Sequence, residues 1–245
     1  MKKKIIFCID GSEYGGGQRS FVQLALGLKR EQYEPSIVST ANSHIEKLIS
    51  SSDIRFIPID FSSQIKPWLI HRLKTLFHSM QPDLVHTQGA RMDFYARMAA
   101  RAARVPVICS TIAMPVEFFN VNPLRKIVYR IFDRWSRRHV NHFIAVSEVL
   151  KNHLIFVQNV QRDTISVIYN GVETDIYNTK DFNPETEKKA LGFDGNETVI
   201  GSVGRLIYQK SFDVFISAAS RVKQVHPDVK FVLAGEGPLR QDLEK

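Results

Sequence analysis

Residues 3–19 of the sequence read KKIIFCIDGSEYGGGQR, and this stretch decides the fold. A short apolar run that ends at Asp10 leads into a loop with three consecutive glycines, Gly15, Gly16 and Gly17, and a helical pattern follows. Glycine lets a ligand approach the main chain, and the free amides of the helix N-terminus behind it suit a phosphate. The stretch predicts a strand, a ligand-binding loop and a helix. A simple tight turn is the alternative.

The same alternation of apolar runs and helical patterns continues to residue 177. The predicted strands are Ile5–Asp10, Pro35–Thr40, Arg55–Ile59, Leu84–Thr87, Pro106–Thr111, His142–Ser147 and Ser166–Tyr169. The predicted helices are Gly17–Arg30, Ser43–Ser51, Pro67–Met80, Met92–Arg104, Pro123–Arg138 and Glu148–Gln158. Nearly continuous runs rich in Val and Ile are typical of parallel strands buried on both faces. Residues 1–177 are therefore predicted to form a doubly wound α/β domain.

The pattern changes after residue 177. Residues 178–196 are polar and rich in turn residues, which predicts a linker with a short helix inside it. A strand at Thr198–Val203, a helix at Ser211–Val225 and a strand at Val229–Ala234 follow. A sheet of two strands cannot cover both of its faces, so residues 197–245 are predicted to form an incomplete second Rossmann-like domain.

Composition narrows the class of protein. Apolar residues make up 44% and charged residues 24% of the 245 residues, as in globular proteins. Cys8 and Cys109 both lie in apolar runs, which predicts buried reduced thiols and excludes a disulfide scaffold. The apolar run at the N-terminus is too short for a signal peptide, and no uninterrupted run reaches the ~18 residues of a membrane span. We expect a cytoplasmic protein.

The net charge of +8 lies entirely before residue 179. Anionic lipid, nucleic acid and a phosphorylated substrate are the partners that such charge suits. No nucleic-acid motif accompanies the charge, so nucleic acid is not expected. Two basic segments that also carry apolar residues, Ile65–Met80 and Asn122–Phe143, predict contact with an anionic membrane surface. The alternative is that their apolar faces pack on the sheet and their charges are solvated.

The glycine loop resembles the dinucleotide fingerprint Gly-x-Gly-x-x-Gly/Ala, but the sequence argues against a dinucleotide site and excludes a P-loop NTPase. The second strand runs into Val38-Ser-Thr-Ala-Asn42, without the acidic residue that would bind an adenosine ribose. The sequence also lacks the Gly-x-x-x-x-Gly-Lys-Ser/Thr pattern of P-loop NTPases.

Further candidate site residues follow other predicted strands. His86 could bind a ligand or shuttle a proton near neutral pH, with a structural role as the alternative. A glycine turn after the strand at Thr198–Val203 carries Arg205 and Lys210, which could hold two phosphates or be ordinary surface charges. Candidate cleft-lining residues after the last strands of the first domain are Ser147, Asn170 and Gly171.

Taken in order, these motifs resemble the family-4 glycosyltransferases of the GT-B fold, in which two Rossmann-like domains face a cleft. The residues that carry the resemblance are Gly15–Gly17, Asp83–His86, Val146–Glu148, Val167–Asp175, Gly201–Arg205 with Lys210, and Val232–Pro238. The resemblance covers nearly the whole chain.

The resemblance implies transfer of a sugar from a UDP- or GDP-sugar, with retention at the anomeric carbon and without a metal or another cofactor. The acceptor would be a glycan or a lipid-linked or cell-envelope polysaccharide precursor. Arg205 and Lys210 would clamp the diphosphate, and His86 would face the transferred sugar. The remaining donor-binding residues implied by the resemblance are Gly15, Gly16, Gly17, Gly204, Glu236 and Gly237.

The sequence also departs from the family. Family members continue with a Pro-Ser-x-x-Glu-Gly element and a Glu-x(7)-Glu pair, which bind ribose and sugar, and neither is present before Lys245. We therefore expect a truncated donor domain, and no turnover of a sugar nucleotide by the 245 residues alone. The rival hypothesis is a non-catalytic remnant or interaction domain derived from such an enzyme.

Overall fold

The computed structural model describes residues 1–12, 15–60, 67–118, 121–177, 180 and 182–245. The chain divides into two compact units, Met1–Gly171 and Val172–Lys245. The sequence pattern predicts the first boundary at residue 177, six residues later. Part of the predicted basic segment Ile65–Met80 and part of the predicted linker lie outside the described residues.

The first unit is an alternation of strands and helices, as its sequence predicted. Its strands are β1 Lys3–Ile9, β2 Tyr33–Ser39, β3 Arg55–Pro58, β4 Leu84–Gln88, β5 Val107–Ile112, β6 His142–Ala145 and β7 Ile165–Val167. Its helices are α1 Gly16–Leu26, α2 His44–Ile49, α3 Trp68–Met80, α4 Ala90–Ala102, α5 Pro123–Arg137 and α6 Glu148–Phe156.

The seven strands form one sheet in the order β3-β2-β1-β4-β5-β6-β7, and every neighbouring pair is parallel. After β1 the chain adds strands on one side, and from β4 onward it adds them on the other. The reversal makes the boundary between β1 and β4 the topological switch point, where ligands of open α/β sheets bind.

Strand β1 shows why the sheet has helices on both faces. Its side chains alternate, so Phe7 and Ile9 pack with Phe21 of α1, while Ile6 and Cys8 pack with residues of α3 and α4. Because both faces are covered, the run from Ile5 to Ile9 is buried throughout. The predicted doubly wound α/β class is confirmed, and both cysteines are free and buried as expected.

Short polar residues fix where several helices begin. Asn122 accepts a hydrogen bond from the Leu124 amide at 2.9 Å, and Pro123 occupies the first turn of α5. Ser43 caps α2 in the same way, and Ser147 caps α6. These residues satisfy amides that have no partner inside the helix, which is why they mark helix starts in the sequence.

The second unit is smaller and more open. Its elements are α7 Pro184–Ala190, β8 Val199–Val203, α8 Phe212–Val225, β9 Lys230–Ala234 and α9 Arg240–Leu243. The two strands are parallel, and Phe215 of α8 contacts Phe231 of β9 edge to face at 6.1 Å. Among its described hydrophobic residues, Leu206 and Phe212 are buried, whereas Val203 is 84% exposed. Helix α7 lies inside the segment predicted as a linker.

Candidate functional site

The carboxyl ends of β1, β2 and β4 meet at the switch point through one side chain, Asp10. Its carboxylate accepts from the Ser12 amide at 3.0 Å and from Thr40 Oγ1, beyond β2, at 3.5 Å. Arg91, in the first turn of α4, donates from Nη2 to Asp10 Oδ2 at 2.5 Å and to Ser12 Oγ at 3.3 Å. The arrangement holds a partly exposed guanidinium beside the glycine loop.

Sequence reasoning missed Asp10 and Arg91. The two residues are 81 positions apart, so no spacing rule connects them. The available signal was Gly89, which precedes α4 with a φ of 95°, a conformation that favours glycine. In the sequence, Gly89 follows the apolar run of β4 and precedes a helical pattern that carries Arg91, as Gly15–Gly17 follow the run of β1.

The three glycines of the first loop are not equivalent. A Cβ on Gly17 would lie 3.1 Å from Gln88 Nε2 at the end of β4, so a larger residue there requires the Gln88 side chain to shift by a few tenths of an ångström. Counting the described residues alone, which leave out 13 and 14, a Cβ on Gly16 would meet no atom within 4 Å, and one on Gly15 would meet Gln18 Oε1 at 3.5 Å. Packing therefore disfavours a larger residue at Gly17, while among these residues the space beside Gly15 and Gly16 is open at the N-terminus of α1. That terminus can receive an anion.

His86 occupies a different environment from the one predicted for it. It is 4% exposed, its ring contacts those of Phe7 and Phe21 at 5.3 and 4.8 Å, and its Nε2 is 2.8 Å from Thr111 Oγ1. Burial lowers the pKa of His86 to about 3, because the apolar surroundings disfavour the charged ring. Burial thus favours the neutral imidazole, which joins β4 to β5 and α1, as in the structural role that the sequence left as the alternative. The predicted site role of His86 stays a prediction.

The other candidates of the first unit lie apart from the switch point in the sheet order. Ser147 accepts a hydrogen bond from the Leu150 amide at 3.2 Å, so its hydroxyl caps α6. Asn170 and Gly171 follow the edge strand β7, and both are exposed at the boundary between the two units. Their predicted cleft-lining role stays a prediction.

In the second unit the loops after β8 and β9 are joined through their backbones. The Gly204 amide donates to Ala234 O at 3.0 Å, and the Leu206 amide donates to Glu236 O at 2.9 Å. Gly237 has a φ of 159°, and a Cβ on it would lie 2.5 Å from Leu206 O. Glycine at this position permits the close approach of the two loops.

The predicted phosphate-binding cations lie on the first of these loops. Arg205 and Lys210 are both exposed, and Lys210 directly precedes the start of α8, which has no side-chain cap. Glu236 accepts from Arg240 Nη1 at 2.5 Å, so this carboxylate is already paired. Two cations beside an open helix N-terminus have the chemistry to hold a diphosphate. Their role stays a prediction.

Among the described residues, no three His, Cys, Asp or Glu side chains are grouped so that they could hold a metal ion. Within the same ranges, no helix combines the length and the apolar character that crossing a bilayer requires.

Comparison with known families decides the relationship. Residues 14–176 match the family model described as Glycosyltransferase Family 4, and residues 183–245 match the one described as Glycosyl transferases group 1. The chain belongs to Glycosyltransferase Family 4. The resemblance that the sequence motifs indicated is confirmed.

Two curated relatives illustrate this membership. The chain is 27% identical over 237 residues to the UDP-Gal:alpha-D-GlcNAc-diphosphoundecaprenol alpha-1,3-galactosyltransferase of Escherichia coli, covering 94% of this chain and 61% of that protein. It is 28% identical over 163 residues to the gpi3 subunit of the Schizosaccharomyces pombe phosphatidylinositol N-acetylglucosaminyltransferase, covering 66% of this chain and 33% of that protein. The chain therefore spans less than two thirds of the length of these relatives.

Among solved structures, HepE of Anabaena in complex with UDP and glucose superposes with a TM-score of 0.78 at 19% identity. That match covers 99% of this chain and 64% of HepE. At this identity the likeness concerns the fold, and the expected GT-B architecture is confirmed.

Proposed function

We propose that the protein transfers a sugar from a UDP- or GDP-sugar to a glycan or to a lipid-linked or cell-envelope polysaccharide precursor. The observation that carries the proposal is the family match over residues 14–176, whose glycine loop lies at the switch point of the sheet. We propose further that the reaction retains the anomeric configuration and needs neither a metal nor another cofactor. Side-chain cations and helix N-termini would stabilise the departing diphosphate in place of a divalent ion.

The geometry supports a division of roles between the two units. Arg205, Lys210 and the N-terminus of α8 form the diphosphate site of the proposal, with Gly204, Glu236 and Gly237 shaping the loops beside it. Arginine binds phosphate through two parallel hydrogen bonds, which stabilises the leaving group as charge develops. The open space at Gly15 and Gly16 would admit the donor phosphate or sugar, and the Asp10–Arg91 pair would lie beside the acceptor.

The names of relatives support the substrate classes. The Escherichia coli relative is named for a UDP-galactose donor and a diphosphoundecaprenol acceptor, and HepE was solved with UDP and glucose. The Schizosaccharomyces pombe relative is named for a phosphatidylinositol acceptor. We therefore favour UDP over GDP in the donor and a lipid-linked acceptor. A lipid-linked acceptor also supports our proposal of a peripheral protein at the cytoplasmic face of the membrane.

The direct test is a donor screen. The protein, expressed from the whole coding sequence of its gene, is incubated with UDP- and GDP-sugars and a lipid-linked acceptor, and released nucleotide is measured. Release that depends on the acceptor is the expected result, and NMR of the product reports whether the anomeric configuration is retained. Activity that survives EDTA supports the metal-independent part of the proposal. No release with any donor would favour the non-catalytic remnant instead.

The diphosphate site has its own test on the 245-residue chain. We expect weak UDP binding that falls with added salt, because water and ions screen two exposed cations. Arg205→Ala and Lys210→Ala should each weaken binding, while Arg221→Ala and Lys223→Ala, on the exposed side of α8, serve as matched controls. Equal effects in both pairs would show that binding reflects net charge alone. We also expect no turnover of a sugar nucleotide by these 245 residues. Nucleotide release measured on the same preparation tests this prediction.

A further inference from the structure

Helix α5 leaves a row of large apolar side chains in solvent. Leu124, Ile127, Ile131 and Trp135 are 73%, 54%, 59% and 45% exposed. Their spacing of three, four and four residues places them on one face of the helix, which we call the α5 apolar row. Soluble surfaces carry single exposed apolar residues, but a contiguous row marks an interaction surface.

The opposite face of α5 is fixed to the domain by charged and aromatic contacts. Arg97 of α4 is fully buried, and its Nη1 donates to Asp133 Oδ1 of α5 at 2.8 Å. Arg137 Nη1 of α5 donates to Gln158 Oε1 at 2.7 Å, and Phe132 stacks on Phe94 at 4.4 Å. Trp135, at the edge of the apolar row, also lies 6.1 Å from the Phe94 ring and stays 45% exposed. Rotating the apolar row inward would leave the buried Arg97 without this carboxylate, so the row is held facing outward.

The outer face of α5 is also strongly basic. Its exposed arginines are Arg125, Arg130, Arg134 and Arg138. The one acidic residue of the helix, Asp133, faces inward to Arg97, and Arg130 lies 3.9 Å from Glu117. At the surface of an anionic membrane, apolar acyl chains lie beneath a layer of negatively charged headgroups. The central apolar row matches the first layer, and the flanking guanidinium groups match the second.

We propose that α5 is a membrane-docking helix: its apolar row enters the interface of an anionic bilayer while the flanking arginines bind lipid phosphates. The proposal rests on the proposed membrane partner but not on sugar transfer, and it goes further by assigning the contact to one helix face. A second copy fits this face less well. Packing two rows across a two-fold axis would bring the arginines of one against those of the other.

The test is co-sedimentation of the 245-residue chain with vesicles of phosphatidylcholine, with and without phosphatidylglycerol. We expect salt-sensitive binding that requires phosphatidylglycerol. Arg130→Gln with Arg134→Gln should weaken it about thirtyfold, since each basic residue near an anionic surface contributes about fivefold. Ile127→Ser with Ile131→Ser should weaken it at least about tenfold, because each removes buried apolar area from the interface.

Matched controls come from surfaces of similar charge or exposure. Arg72→Gln with Lys74→Gln on α3 removes the same charge, and Val214→Ser with Val225→Ser on α8 removes similarly exposed apolar residues. Both should stay within about twofold of the unmodified chain. In a Trp68→Phe variant, Trp135 is the one remaining tryptophan, and its emission should shift to the blue on anionic vesicles.

Three results would overturn the proposal. The unmodified chain could fail to bind anionic vesicles, or the α5 and control variants could lose binding equally. The chain could also form a dimer in ultracentrifugation that the apolar-row variants dissolve, which would make the row a self-association surface. A positive donor screen alongside any of these results would leave the transferase proposal standing, so the two failures are distinguishable.

Discussion

Helices α3 and α5 share the same ingredients and use them in opposite ways. Each mixes basic and apolar residues at helical spacing, and the sequence predicted membrane contact for both, with packing on the sheet as the alternative. In α3 the residues Leu69, Leu73 and Phe77 are buried in the core beside the sheet. In α5 the apolar row is exposed, and the buried face carries Asp133, which pairs with arginine side chains. Amphipathicity thus identifies two faces of a helix without saying which one is inside.

The largest effect on stability should come from the ion pairs that hold α5 against α4. Arg97 also lies 3.3 Å from Asp93 Oδ2 of its own helix. Replacing Arg97 by methionine keeps most of the volume but removes the cation beside Asp93 and leaves Asp133 with Arg137 alone. We expect a loss of about 3–5 kcal/mol in the free energy of unfolding, measured by urea denaturation. The control is Arg101→Met, at an exposed position of α4, the helix that also carries Arg97. It should change the free energy of unfolding by less than about 0.5 kcal/mol. A loss below about 1 kcal/mol at Arg97 would mean that aromatic packing alone fixes α5.

The apolar residues of the two helices provide the second test. Leu73→Ala creates a cavity in a packed core and should cost about 2–5 kcal/mol. Ile131→Ala removes a side chain that is 59% exposed and should cost less than about 0.5 kcal/mol. The measurement is again urea denaturation of both variants. A cost above about 1 kcal/mol at Ile131 would show that the apolar row is covered in solution.

The sequence predicted the fold well because its signals are local. Continuous apolar runs indicate buried strands such as β1, and capping residues such as Ser147 indicate where helices begin. The sequence could not predict which face of α5 is buried. Asp133 was visible as the lone acid of that helix, but its partner Arg97 lies 36 residues away. The Asp10–Arg91 pair was missed for the same reason. The burial of His86 could not be predicted either, because its neighbours Phe7, Phe21 and Thr111 come from three separate elements.

A third test concerns pH at the same buried network. Burial raises the pKa of Asp93 to about 6, against the opposing effects of Arg97 and Thr87. The folded state then binds a proton more readily than the unfolded chain, so this group's contribution to stability falls as pH rises from about 4 to 6. Asp93→Asn cannot titrate. As pH rises through that window, the original chain should therefore lose unfolding free energy relative to Asp93→Asn.

The control for this pH test is Asp53→Asn. Arg30 holds the pKa of Asp53 below its usual range through a side-chain hydrogen bond at an exposed site. A folded-state pKa below the unfolded value gives stability that is lost as pH falls, which is the opposite sign. Urea titrations at several pH values measure both. A rise in the Asp93 contribution with increasing pH would mean that Arg97 outweighs burial there.

The smallest effects should come from the glycine loop, where open and closed positions are adjacent. Gly17→Ala requires the buried Gln88 side chain to shift by a few tenths of an ångström and should cost up to about 3 kcal/mol of stability. Gly16→Ala meets no neighbour among the described residues and favours the helix, so it should change stability by less than about 1 kcal/mol and in the stabilising direction. If the donor or acceptor approaches the main chain at Gly16, the added methyl group should still weaken substrate binding in the protein used for the donor screen. Thermal unfolding and the KM from the donor screen separate these outcomes. A Gly16→Ala variant with unchanged KM would place the ligand away from this loop, and one with lowered stability would show that the space beside it is filled.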